Sequence, residues 1–158
     1  MLGVMTDKPN IATVSAILPP LRVLPAGPPH TYLGIAGAML EGVRVLATSP
    51  NPPALPLALL AAHVLECALK AYLSRDGNDD RLRRADIRHN LDALWSLAHA
   101  EGLAISSSPP QWVSMLSHLH KSPYYLRYST GVHGIGSPAP EPMATELGAL
   151  FGQISSKL

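Results

Sequence analysis

Apolar residues along the chain fall at helical rather than alternating spacing. The clearest stretch is 54–75, where Leu57, Leu60, Ala61, Val64, Leu65, Ala68, Leu69, Tyr72 and Leu73 recur over about six turns. The apolar arc is wide, so this helix is expected to have neighbours on more than one side. A polar line made of His63, Glu66 and Lys70 interrupts it. Glu66 precedes Lys70 by four residues, the favourable orientation for an ion pair along a helix.

The other periodic stretches read as partners of that helix. Thr31 to Thr48 carries a stripe of Tyr32, Ile35, Ala36, Met39, Leu40, Val43 and Leu46, with Thr31 as the expected N-cap. Gly34, Gly37 and Gly42 weaken this helix but leave room for a close neighbour. A third helix is expected from His89-Asn90 to Glu101, capped by Asn90, stopped by Gly102, with Leu91, Leu94, Trp95 and Ala98 on one face. A fourth is expected to open on Ser108 as N-cap, Pro109 at N1 and Gln111 at N3, with Trp112, Met115, Leu116 and Leu119 buried. A fifth is expected from Pro142 at N1, with Met143, Leu147, Leu150, Phe151, Ile154 and Leu158 on its apolar face.

Between these helices lie two long connections. Residues 76–88 are dense in both Asp and Arg and read as a solvated hinge. Residues 122–141 form a loop of about twenty residues that holds Tyr124, Tyr125, Arg127, Tyr128 and His133, and loops of that length often carry function. Residues 1–30 contain Pro9, Pro19, Pro20, Pro25, Pro28 and Pro29, which forbid a long helix and favour an extended arm, read either as a loosely held terminus or as a segment lying on the bundle or on a second subunit. The expected organisation is therefore an arm over 1–30 and an all-α, up-and-down bundle of four to five helices over 31–158.

Composition narrows the classes. At 158 residues, 47% hydrophobic and 15% charged, the chain can bury a core and is not of the disordered type. A net charge of +1 leaves no general field for nucleic acid, so any such site must be a local patch. The single cysteine, Cys67, excludes an internal disulfide framework and reads as a small core residue of a cytoplasmic protein. No apolar run is expected to span a membrane, and Ile11–Leu18, following Asp7 and Pro9, does not read as a signal peptide.

The sequence offers no CxxC, HExxH, Walker-type loop or GxSxG, so no cofactor is expected. His118 and His120 form an H-x-H on the fourth helix, but residues two apart do not share a helix face, so they are not expected to hold a metal together. No metal ligands are assigned.

In that order, AAHVLECALKAYL, HNLDALWSLAHAEGL and YYLRYS resemble the HEPN family over about residues 58–130. Ala62, Glu66, Leu69, Lys70 and Ala71 match its first helical motif, His89, Asn90 and Leu91 the opening of a second, and Arg127-Tyr128 an Arg-Tyr segment before the last helix. The resemblance implies a helical, commonly dimeric module, here non-catalytic, that binds RNA or a nucleotide. His63, Glu66, Lys70, Tyr124, Tyr125 and Tyr128 are then the ligand-binding candidates. It also implies an alternative, a metal-independent ribonuclease acting as toxin or defence effector. Its Arg-x5-His pair would be Arg127 and His133. The histidine would move the ribose 2′-hydroxyl proton and the arginine would hold the scissile phosphate. Arg84 and His89 have a similar spacing, which seven histidines make a chance match. A third reading is an assembly adaptor that meets a partner protein through the arm and the fifth helix.

Overall fold

The computed structural model describes residues 27–128 and 134–158. The expected arm up to residue 26, and His133, lie outside them. The described residues are helical: α1 (His30–Ala47), α2 (Ala54–Leu73), a 3-10 turn (Asp80–Arg83), α3 (Leu91–Ala100), α4 (Gln111–His120) and α5 (Pro140–Ser155), with no strand among them.

The helix α2 touches each of α1, α3, α4 and α5. From Val64 to Leu73 every one of its side chains is buried. That surrounding explains its composition. An 18-residue window of α2 reaches a mean hydropathy of 1.6 and meets the length and composition of a membrane span, contrary to the sequence expectation, yet 67% of it is buried inside the molecule. Its apolarity belongs to a core helix.

Helix α1 runs against α2 in the opposite sense: Tyr32, near its start, lies under Lys70, and Gly42 faces Leu60. Gly37 lies under the Phe151 ring of α5, where a Cβ would stand 3.2 Å from the ring. Small residues in α1 thus let two helices approach it. Trp112 of α4 donates from Nε1 to Glu146 of α5, and Gln153 of α5 donates to the Ala104 carbonyl, which tie α5 to the α3–α4 side.

Three helix starts differ from expectation. Helix α1 begins one residue early, so Thr31 sits inside its first turn, and its hydroxyl accepts the Gly27 N–H at 2.8 Å. Ser108 caps nothing. Pro110 forces Pro109 out of the helical region, Pro110 itself is extended, and α4 starts only at Gln111. Helix α5 starts at Pro140, two residues before Pro142, because an N-terminal turn needs no N–H from either.

Most of the 76–88 connector is exposed, as expected of a solvated segment, but it is anchored to the bundle rather than free to hinge. Leu82 is fully buried in its 3-10 turn, and Asp79 is buried with it. Arg81 reaches across to Glu101 and to the Leu73 carbonyl, which closes the connector onto the ends of α2 and α3. Glycine at 102, with φ +90, then ends the α3 region as expected.

Candidate functional site

Glu66 and Lys70 stand one turn apart on the buried face of α2, and Lys70 Nζ donates to Glu66 Oε1 at 2.6 Å. A charge pair this deep is costly unless its remaining oxygen is satisfied. Two histidines from other elements satisfy it. His89 lies in the turn before α3, where Asn90 accepts the Ala93 N–H and fixes the helix start. That placement brings His89 Nδ1 to 3.1 Å from Glu66 Oε2. His120, the last residue of α4, is 1% exposed, and its Nε2 lies 2.5 Å from the same oxygen.

Each imidazole donates to Glu66 when the facing nitrogen carries the proton. The other nitrogens differ in surroundings. His120 Nδ1 is buried with no hydrogen-bond partner among the described residues. The His89 side chain is 23% exposed and turns an edge toward the surface. Burial alone would push the Glu66 carboxyl up, but the His120 hydrogen bond and the Lys70 charge hold it far below the usual carboxylate range. Burial pushes the His89 imidazole down, only partly opposed by Glu66.

Beside this cluster lie the tyrosines of the 124–128 turn. The His89 and Tyr124 rings meet edge to face at 5.7 Å, and Tyr124 meets Tyr128 the same way at 6.1 Å. Tyr124 sits at φ +67, a left-handed conformation that fixes where its ring leaves the turn. Exposed Arg127 is close enough that its charge lowers the pKa of both His89 and His63, though burial is the larger cause for each. His63 lies half-buried one turn before Cys67, with Nε2 3.7 Å from the Cys67 sulfur.

The sequence candidates therefore separate. Glu66 and Lys70 form a buried pair, Tyr124 and through it Tyr128 pack edge to face on His89, and the Arg127 charge reaches His89 and His63. Tyr125 turns elsewhere: its ring lies against His118, and with Met115, Leu119 and Ile135 it lines an apolar groove of about 660 Å³. Arg84 pairs with Asp86 at 3.0 Å on the surface. His118 is exposed and His120 buried, on different faces of α4.

Sequence reasoning missed the convergence of His89 and His120 on Glu66. A signal for His120 existed: Val113, Leu116, Ser117 and His120 make the buried face of α4 at helical spacing. A histidine on such a face needs a polar partner. Among the described residues, Glu66, His89 and His120 also form a group able to hold a metal ion, since their donor atoms all lie within 4.8 Å of one another.

Comparison with protein-family models, with curated proteins and with solved structures finds no match for this chain.

Proposed function

We propose that this chain is a HEPN-like helical module that binds the phosphate and base of RNA or a nucleotide without cutting it. The observation that carries the reading is the edge-to-face run of His89, Tyr124 and Tyr128, with exposed Arg127 in the same turn, its N–H on the Tyr124 carbonyl. An arginine offers a phosphate two parallel hydrogen bonds, and a tyrosine face stacks on an unpaired base. Lys70 is not part of that contact, because it is buried on Glu66. It holds the Glu66 carboxylate instead. The order of the Glu66–Lys70, His89–Asn90–Leu91 and Arg127–Tyr128 segments is that of the family motifs.

A labelled single-stranded RNA, followed by fluorescence anisotropy against the full chain at low salt, tests this. Expected is saturable binding that weakens with salt and falls about tenfold or more in Arg127→Ala, the loss of a charge-assisted phosphate contact. No binding at high protein concentration, or equal binding by Arg127→Ala, rejects it.

One observation favours the second reading, a metal-independent ribonuclease. The His89 ring is oriented by Glu66, and its lowered pKa leaves it neutral near pH 7 and able to accept a proton beside Arg127. Its family signature would use Arg127 with His133, which lies outside the described residues. The same RNA, incubated with chelator and run on a gel, separates the readings: it stays intact for a binding module and is cut by the enzyme.

A further inference from the structure

We propose that Glu66, His89 and His120 form a binding site for a divalent transition ion of the zinc class. The donors come from the middle of α2, the turn before α3 and the last residue of α4. They are separated by 23 and 54 residues, yet both ring nitrogens face one carboxylate oxygen. Two imidazoles and a carboxylate are a donor set that suits zinc and its neighbours, and does not suit magnesium or calcium, which favour all-oxygen shells.

The surroundings fit such an ion. Lys70 holds Glu66 Oε1 and leaves Oε2 as the single oxygen turned to the histidines, the kind of outer contact that orients a ligating carboxylate. The His120 ring is buried for the sake of one nitrogen: Nε2 faces Glu66, while Nδ1 finds no partner. A leucine would fill that place in a bundle core without leaving a polar atom unpaired. His89, 23% exposed, turns its remaining surface toward Tyr124 and solvent, where water or an anionic group completes a four-coordinate shell. On binding, each histidine offers the lone pair of the nitrogen that faces Glu66, and its proton moves to the other ring nitrogen or to solvent. The site shares His89 with the RNA-binding reading but does not rest on it, and its test reads metal rather than RNA.

The test uses the full chain stripped with chelator and dialysed. With excess Zn²⁺ the expected result is one tightly held ion per chain and a rise in Tm of roughly 5–10 °C, as for a ligand at about 100 times its Kd on a domain of this size. Mg²⁺ at the same concentration leaves Tm unchanged, and Co²⁺ gives the visible absorption of a low-symmetry site. His89→Gln, which keeps a side-chain hydrogen bond to Glu66 and a folded far-UV spectrum, loses the ion and the Tm rise. His118→Ala, on the exposed face of α4, keeps both. Less than a tenth of an equivalent bound with no Tm change overturns the proposal. So does equal binding by wild type and His89→Gln, which assigns the ion to scattered surface histidines.

Discussion

Glu66 Oε2 and His120 Nε2 lie 2.5 Å apart, joining the middle of α2 to the end of α4 inside the bundle. With Lys70 and His89 on the same carboxylate, Glu66 is the acceptor for three donors. Glu66→Ala leaves the Lys70 ammonium and the His120 ring buried without it. The expected loss is about 3–5 kcal/mol, the usual cost of stranding one member of a buried ion pair. Urea unfolding measures it, as a lower midpoint at an unchanged slope. A loss under about 1 kcal/mol, the level of an exposed pair, contradicts the buried geometry.

Stability is expected to fall as pH drops below neutrality. Burial lowers the pKa of His63 and His89, so the folded state refuses protons that the unfolded chain takes up below its value of about 6.5. Where the unfolded chain binds more protons, stability rises with pH. The histidine contribution is therefore complete above about pH 6.5 and is lost as pH falls through the folded values. A second loss begins below about pH 4.5, where Glu66 is protonated more readily in the unfolded chain than in the fold. Glu101, held down by Arg81, adds to it with the same sign. Tm recorded from pH 8 to pH 4 should decline in these two stages, and His89→Gln should soften the first. A flat Tm between pH 7.5 and 5.5 contradicts it.

The helices were legible where burial and periodicity agree. Leu57, Ala61, Val64, Leu65, Ala68, Leu69, Tyr72 and Leu73 are all buried, because a helix that touches four others has little surface to give to solvent. The starts were less legible, because each depends on local proline geometry: Pro110 overrides a capping pattern at Ser108 that residue types alone make attractive. The 76–88 connector misled for another reason. Its charge density hides one apolar anchor, Leu82, and one buried acid, Asp79, whose partners Tyr32 and Arg83 complete it. At the site, the Glu66–Lys70 pair follows from helical spacing. The arrival of His89 and His120 does not, since it depends on how α3 and α4 pack against α2.

The glycines of α1 should respond differently to the same substitution. A Cβ on Gly34 meets nothing within 4 Å, so Gly34→Ala gains helix propensity alone, about 0.5–1 kcal/mol. A Cβ on Gly37 would stand 3.2 Å from the tip of the partly buried Phe151 ring, tighter than comfortable contact, so the ring must shift to admit it and the propensity gain is offset. Gly37→Ala is expected to be neutral or destabilising. Paired thermal melts check the difference, and equal gains at both positions would contradict the close approach of α5 to α1.

Cys67 tests how dry the centre of α2 is. A histidine beside a thiol usually activates it by favouring the thiolate. Here His63 Nε2 lies 3.7 Å from the sulfur, but burial lowers the His63 pKa, so the ring is neutral near pH 7 and offers no stabilising charge. Burial also acts on the thiol, with the Glu66 charge adding to it, and pushes Cys67 up to about 12. The sulfur is both protonated and, at 4% exposure, out of reach. A thiol reagent at pH 8 should therefore leave native protein unmodified over a time in which the guanidinium-unfolded chain reacts to one equivalent. Glu66→Gln, which removes the neighbouring charge while keeping the volume, should speed the native reaction only if it also loosens the packing. Rapid labelling of folded wild type would show that water reaches the face of α2 on which Glu66 and Lys70 depend for their strength.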